Sequence, residues 1–152
     1  MRLFLDTNVL TDLIMARGEG GHAARGLIEM SQGRACDLLV SSLALKDASY
    51  IIEESKYTKA LVPSREERRL LAFKGRELLL KTCIICPVDE LICRRAQANR
   101  NEPDYDDALI AECAEVNEAN AIVSGDRKAF NNASVPKLSS VDALKLVRTR
   151  LR

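Results

Sequence analysis

The sequence predicts a three-layer α/β/α fold in which a mostly parallel sheet of four to five strands lies between helices. Short apolar runs without a polar face, such as Leu38-Leu39-Val40, are typical of strands that are buried on both faces. Segments with apolar residues at helical spacing separate these runs, as in βαβ units. A hydrophobic content of 47% and a charged content of 30% are ordinary for one globular domain, which we expect to span residues 1–152.

The first half of the chain contains two of the predicted strands. Leu3-Phe4-Leu5 is the first, and it ends at Asp6. Apolar positions from Val9 to Ile14 predict the helix that follows, and glycines then separate it from a second helix over about 22–30. The second strand is 38–40, after which Ser41 or Ser42 can cap a helix that extends through Ile52.

The second half repeats the alternation. Ser64 to Glu67 has the spacing of a capping box and opens a long charged helix to about Lys81. Its basic residues predict a solvated face: Arg65, Arg68, Arg69, Lys74, Arg76 and Lys81. The remaining predicted elements are a strand at Ile84-Ile85, helices over about 89–98 and 104–117, a strand at 121–124 and a final helix from Val141 to Leu151.

Composition excludes some classes of function without selecting one. The formal net charge of +1 gives no global field that would attract nucleic acid. The first residues have no signal-peptide pattern and no apolar run could span a bilayer, so a cytoplasmic protein is expected. Five cysteines, an odd number, suit reduced core thiols. A Cys83-x-x-Cys86 pair has no second ligand pair beside it, and the only histidine is His22.

Acidic residues follow the predicted strands at positions that should meet in space. Asp6 comes after the first strand, Asp126 after the fourth, and a cluster from Asp104 to Asp107 begins a helix. Ligands bind at the carboxyl ends of parallel strands, where these carboxylates are expected. Crowded carboxylates without histidine or thiolate suit Mg²⁺ or Mn²⁺, which can activate water against a phosphodiester. No phosphate-binding loop and no serine-hydrolase elbow is present.

Three segments resemble the signature blocks of the PIN-domain family. They are Leu5-Asp6-Thr7-Asn8-Val9-Leu10, the stretch from Asp104 to Ala111, and Val123-Ser124-Gly125-Asp126-Arg127-Lys128-Ala129-Phe130. Their order and spacing also match, and the similarity extends over nearly the whole chain. The resemblance implies a metal-dependent nuclease, most often a ribonuclease, with a parallel sheet between helices. Many bacterial members of the family resemble VapC-type toxins of toxin-antitoxin modules.

The resemblance also implies the roles of individual residues. Asp6 matches the central metal ligand, Asp107 the third acid of the family and Asp126 the fourth. The second acid is usually glutamate, and the matching residue here is Asp47, whose shorter side chain is a departure from the pattern. The supporting residues are Thr7 and Asn8, which shape the turn after Asp6, Ser124 beside the cluster, and Asp104.

Simpler interpretations apply to several of these residues. Alone, Asp6 could merely end a strand and Asp126 could merely be a turn residue. Asp104 has the position of a helix N-cap, and Asp106 is better explained as a favourable charge near a helix N-terminus than as a ligand. The basic residues nearest the acidic blocks are the candidates for phosphate contacts: Arg94, Arg95, Arg127 and Lys128.

The sequence thus predicts an endoribonuclease in which Asp6, Asp47, Asp107 and Asp126 surround Mg²⁺ or Mn²⁺. The resemblance further implies a toxin, a cognate antitoxin as its partner, and a homodimer. Helices over about 22–30 and 42–54 carry more apolar residues than one sheet face needs, which predicts an exposed interaction surface. Two rivals remain: a PIN-like module that binds RNA or protein with weakened catalysis, and a structure-specific DNA nuclease, whose relatives generally carry extra segments.

Overall fold

A computed structural model describes residues 1–151, so Arg152, which the predicted domain includes, lies outside the described residues. The predicted α/β/α fold with a mostly parallel sheet is confirmed. Five strands form one sheet in the order β3-β2-β1-β4-β5, and every pair of neighbours is parallel. The strands are β1 (Arg2–Leu5), β2 (Asp37–Ser41), β3 (Ile84–Cys86), β4 (Ala121–Val123) and β5 (Lys137–Leu138).

Helices connect the strands and cover both faces of the sheet. They are α1 (Thr7–Ile14), α2 (Gly18–Gln32), α3 (Ser42–Glu54), α4 (Lys56–Leu61), α5 (Arg65–Thr82), α6 (Glu90–Ala98), α7 (Tyr105–Val116) and α8 (Ser140–Arg150). The capping predicted at Ser64 is confirmed, because its hydroxyl accepts from the Glu67 N–H at 3.3 Å. Ser55 caps α4, a short helix that the sequence does not separate from α3.

Alternate residues of each strand enter two different cores. Leu3 and Leu5 pack on one face of the sheet among side chains of α1, α2 and α8, whereas Phe4 packs on the other face with residues of α6 and α7. Leu38 and Leu39 divide in the same way. Apolar side chains on both faces explain why these strands show no polar alternation in the sequence.

The strand order places a topological switch point at β1. After β1 the chain extends the sheet through β2 and β3, then returns to the other side of β1 with β4 and β5. The loops that leave β1 and β4 therefore diverge from adjacent strand ends, and a crevice forms between them. Asp6 and Ser124 are the first residues after these two strands.

Two sequence predictions about exposed surfaces are wrong in part. Apolar residues are exposed on α3, at Leu43, Tyr50 and Ile51, but not on α2. Helices α1 and α8 cover the apolar residues of α2; a Cβ at Gly26 would lie 2.8 Å from Leu144 Cδ2. Arg68 is not part of a solvated face. It is 5% exposed, and its guanidinium donates to the carbonyls of Glu53, Val62 and Pro63. These carbonyls lie around the ends of α3 and α4, where helices leave acceptors without partners.

The prediction of reduced cysteines is confirmed. All five cysteines are free thiols, three of them buried and two half-buried. His22 is exposed. No helix within residues 1–151 has the length and apolar content that a membrane crossing demands.

Candidate active site

An acidic cavity of about 440 Å³ opens at the carboxyl edge of the sheet. It brings together the four predicted catalytic acids, which are separated by up to 120 positions in the sequence: Asp6, Asp47, Asp107 and Asp126. Thr7, Asn8 and Asp106 also line it. The apolar part of the lining comes from α3 and α7 and consists of Leu43, Tyr50, Ile51, Leu109 and Ile110.

Asp6 is the most deeply buried of the four acids, with 5% of its surface exposed. It caps α1, because its Oδ1 accepts from the Thr7 N–H at 2.6 Å. Its Oδ2 accepts from the Ser124 hydroxyl at 2.7 Å and from Asn8 Nδ2 at 2.5 Å. Burial raises the pKa of Asp6 above its usual value, although these hydrogen bonds oppose the shift. The site therefore holds a carboxylate whose charge is incompletely compensated by the protein.

Asn8 joins the loop after β1 to the loop after β4. Its Nδ2 donates to Asp6 and also to Ser124 Oγ at 3.2 Å, while its Oδ1 accepts from the Gly125 N–H at 2.9 Å. One amide therefore orients the Asp6 carboxylate and positions the backbone directly before Asp126. This arrangement gives Asn8 and Ser124 the supporting contacts that the sequence predicts for them.

Asp126 lies in a tightly bonded loop. Its Oδ1 accepts from the backbone N–H groups of Lys128 and Ala129 at 2.7 and 3.2 Å, and these bonds lower the pKa of Asp126. Lys137 in β5 fixes the same loop, since its ammonium donates to the carbonyls of Asp126 and Ala129 at 2.9 and 2.7 Å. Asp126 is therefore held as an ionised carboxylate at the mouth of the cavity.

The surroundings of Asp107 oppose the ionisation of its carboxyl group. Burial raises its pKa to about 6, and four further carboxylates add to the shift: Asp104, Asp6, Asp126 and Glu102. Asp104 is the N-cap of α7, as predicted, because its Oδ1 accepts from the N–H groups of Asp106 and Asp107 at 2.9 and 3.2 Å. Negative charge accumulates here without a neighbouring cation to balance it.

Asp47 also lines the cavity, from the first turns of α3. Its carboxylate is half-exposed and pairs with Lys46 at 3.0 Å. A surface ion pair of this kind contributes at most about 1 kcal/mol, so the carboxylate can exchange Lys46 for another cation.

The donor chemistry of this cavity fits a hard divalent cation. Its acids offer only oxygen, which Mg²⁺ and Mn²⁺ prefer. Burial raises the pKa of Asp107 and the neighbouring carboxylates add to the shift, so a cation would stabilise its ionised form. Within residues 1–151, no three acidic, cysteine or histidine side chains stand close enough to enclose an ion. The cavity therefore supplies the donor type that suits such a cation, although its carboxylates lie further apart than the ligands of a closed site.

The pKa of Asp107 predicts how stability changes with pH when metal is removed. A carboxyl with a raised folded-state pKa stabilises the fold fully below about pH 4 and loses that contribution as the pH rises through about 6. In EDTA, the Tm of the wild-type protein should therefore fall over this range relative to that of Asp107→Asn, whose amide does not titrate. Thermal melts of both proteins at a series of pH values test this, and parallel curves would contradict it.

A profile of the PIN domain family matches residues 2–128, which include all four acids. The chain belongs to the PIN-domain family. A search of curated protein sequences finds no significant match.

Several solved structures share the fold. VapBC2 from Rickettsia felis, bound to a DNA fragment from its promoter, matches with a TM-score of 0.64 and 16% identity, over 91% of this chain and 98% of that one. VapC20 from Mycobacterium tuberculosis, described as a toxin that cleaves the sarcin-ricin loop, matches with a TM-score of 0.64 and 13% identity, over 90% and 98%. FitAcB from Neisseria gonorrhoeae matches with a TM-score of 0.52 and 20% identity, over 91% and 97%. At these identities the likeness shows the fold alone.

The PIN domain does not bring all of the predicted phosphate contacts to the cavity. Arg94 pairs with Glu90 on α6, and Arg95 pairs with Glu112 and Glu115 beside a separate polar cavity. Arg127 and Lys128 are exposed in the loop after Asp126, near the acids but outside the cavity lining. All four remain predictions.

Sequence analysis missed Glu102 and Lys137. Glu102 is 5% exposed, its Oε2 accepts from the Phe130 N–H at 3.2 Å, and its Oε1 has no partner within residues 1–151. Phe130 adopts φ 62°, a strained conformation for this side chain, so the carboxylate stabilises an unfavourable turn. Both residues support the Asp126 loop through long-range bonds that no local pattern signals.

Proposed function

We propose that this PIN domain is an endoribonuclease that uses Mg²⁺ or Mn²⁺ to hydrolyse RNA phosphodiester bonds. The observation that carries the proposal is the convergence of Asp6, Asp47, Asp107 and Asp126 on one cavity. Burial there raises the pKa of Asp107, and the charges of Asp6 and Asp126 add to the shift. A bound divalent cation would supply the positive charge that acidifies the attacking water and braces the scissile phosphate.

The acids divide into two groups by their surroundings. Asp6, Asp107 and Asp126 would hold the cation, and Asp47 would complete the site from α3. Thr7, Asn8 and Ser124 keep the Asp6 carboxylate in one orientation through the hydrogen bonds described above. Such partners of a ligating carboxylate fix its direction and thereby tune the affinity for metal.

The proposal is tested by incubating purified protein with single-stranded RNA. Cleavage is expected with Mg²⁺ or Mn²⁺, should stop in EDTA and should return when excess metal is added. Cleavage in EDTA that co-elutes with the protein and survives Asp6→Asn would refute the metal requirement. Absence of cleavage with either ion, under conditions in which the protein is folded, would refute the nuclease activity.

A second function is favoured by the state of Asp47. Its pairing with Lys46, and the absence within residues 1–151 of a closely spaced trio of ligands, would suit a PIN-like module that binds RNA or protein with weakened catalysis. The two functions differ in what happens to bound RNA. The nuclease cleaves and releases many RNA molecules, whereas the binding module retains intact RNA.

Substitutions of Asp47 test whether its carboxylate is a metal ligand. Glutamate reaches further into the cavity by one methylene, so Asp47→Glu should retain or increase the apparent affinity for Mn²⁺. Asp47→Ala should lower that affinity by about 10- to 100-fold. Titrating activity against Mn²⁺ measures both effects, with Lys46→Ala as the control for loss of the ion pair. Identical curves for wild type, Asp47→Glu and Asp47→Ala would assign Asp47 a structural role.

The biological setting that we propose is a toxin-antitoxin module. Structural neighbours of the chain include VapBC2 and FitAB. This chain also has an apolar stripe on α5 that could receive a partner: Leu70, Phe73 and Leu80, each more than half exposed. Such a surface is typical of interaction sites. A homodimer and a small antitoxin are expected to cover apolar surface of this kind.

The partner is tested by measuring the mass of the purified protein and by co-purification from its native host. A dimer, a small co-purifying protein and slowed growth on expression alone are expected. Replacing Phe73 with aspartate should reduce association and leave RNA cleavage unchanged. A strict monomer with no small partner and no effect on growth would overturn the toxin setting without touching the nuclease site.

A further inference from the structure

We propose that Tyr50 forms a stacking platform for an unpaired base next to the phosphate that the acidic cavity holds. The inference rests on the proposed nuclease function and specifies its substrate: a nucleic acid segment with at least one base splayed out of a helix. Tyr50 would be a specificity-determining residue, and the role of the acids themselves is unaffected by it.

Tyr50 is the aromatic residue that the fold brings to the acids. The chain contains three tyrosines, three phenylalanines and no tryptophan, all within residues 1–151. Phe4 and Phe130 are buried in the core, Phe73 lies on α5 and Tyr105 faces α6. Tyr57 lies under the guanidinium of Arg17 at 5.1 Å. Only Tyr50 lines the acidic cavity, and 64% of its surface is exposed.

The periodicity of α3 explains why Tyr50 reaches this cavity. Leu43, Asp47, Tyr50 and Ile51 are spaced four, three and one residues apart, which places them on neighbouring turns of one helical face. All four line the cavity. One face of α3 therefore presents an acid and a flat apolar ring side by side, with aliphatic neighbours at the edge of the ring.

A nucleotide bound at the acids would meet this face. Only one sugar separates a base from its own phosphate, so a phosphate held near Asp47 brings a base to the adjacent wall. Lys46 Nζ lies 5.9 Å from the centroid of the Tyr50 ring and 3.0 Å from Asp47 Oδ1. A cation bound at Asp47 would replace this weak ion pair and leave the ammonium to a flanking phosphate. Stacking tolerates every base, because each has a π-face, but it needs a base that is free of its own partners.

The platform is tested by binding, which separates it from catalysis. Short single-stranded RNAs carrying one 2-aminopurine at successive positions are titrated with protein that keeps all four acids, in Ca²⁺, which takes oxygen ligands but acidifies water less than Mg²⁺ does. Gels check that the RNAs stay intact. Stacking quenches 2-aminopurine fluorescence, so quenching is expected at one position. Tyr50→Ala under the same conditions should abolish that quenching and raise the Kd by about 5- to 150-fold, whereas Tyr50→Phe should preserve both.

Two controls make the result specific. Tyr57→Ala removes another exposed tyrosine outside the cavity. It should change neither the quenching of 2-aminopurine nor the Kd for RNA. An abasic site at the quenched position should weaken binding to the Tyr50 protein but not to Tyr50→Ala, as expected for two partners of one interaction.

The outcomes separate the platform from the nuclease proposal. If wild-type protein does not cleave RNA but binding still depends on Tyr50 and on the base, the nuclease fails and the platform stands. Equal Kd and quenching for Tyr50 and Tyr50→Ala would overturn the platform. So would an RNA-independent protein complex that dissociates on Tyr50→Ala, which would make this face of α3 a protein contact surface.

Discussion

Asp6→Asn is expected to reduce RNA cleavage by roughly 10²- to 10³-fold, the range for removal of one preorganised electrostatic group. The amide has the shape of the carboxylate but lacks the charge that would hold the cation. Asp6 is also the acid with the most hydrogen bonds from the protein, so its direction is the best defined. The loss should appear in kcat at saturating RNA, and raising Mn²⁺ should recover only part of it, because the cation would then bind without one of its ligands.

The fold should survive this substitution. Burial raises the pKa of Asp6, so at neutral pH the ionised carboxylate destabilises the metal-free protein relative to a neutral group. The amide removes that charge but can accept on only one oxygen, which costs about one hydrogen bond, or about 1 kcal/mol. These effects oppose each other, and we expect Tm to change by no more than roughly 4 °C.

The matched control for Asp6→Asn is Asp37→Asn. Asp37 is an exposed aspartate at the start of β2, at the opposite edge of the sheet. Cleavage by Asp37→Asn should equal that of the wild type. Near-wild-type turnover of Asp6→Asn, in protein purified to remove host ribonucleases, would refute the assignment of the cavity as the active site.

The fold could be predicted because its signals are local. Doubly buried strands such as Leu38 to Val40 appear as apolar runs, and capping residues such as Ser64 and Asp104 mark the starts of helices. β5 has only two residues, too few for any periodicity. The covered face of α2 was mispredicted because its apolar residues are used by α8, the last helix of the chain.

Part of the site could also be predicted, because the positions of acids relative to strands are a local signal. Acids directly after strands must meet at the carboxyl edge of a parallel sheet, and this rule places Asp6 and Asp126 together without knowledge of side-chain positions. The contacts of Glu102 and Lys137 depend on the path of the loop from residue 126 to residue 131. Arg68 likewise bonds to carbonyls at positions 53, 62 and 63, which converge only in the folded chain.

Asn8→Asp is expected to have the second-largest effect, a loss of about 10- to 100-fold in metal affinity or activity. The new side chain keeps the size of asparagine, and one oxygen can still accept from the Gly125 N–H. Its other oxygen replaces the Nδ2 donor that lies 2.5 Å from Asp6 Oδ2. Two carboxylates at this distance must share a proton, so the variant should need a higher pH for activity than the wild type.

The pH profile makes this test specific to the donor role of Asn8. Asn8→Ala removes the bridge to Asp6, Ser124 and Gly125 without adding charge, so it should lower activity with no shift of the profile towards higher pH. Asn120→Asp adds the same charge at the opposite edge of the sheet, where its oxygen can still accept from the Arg2 N–H, and should behave as the wild type. An additional carboxylate could instead serve as a further ligand. Tighter Mn²⁺ binding by Asn8→Asp with an unchanged pH profile would therefore show that Asn8 does not act by donating to Asp6.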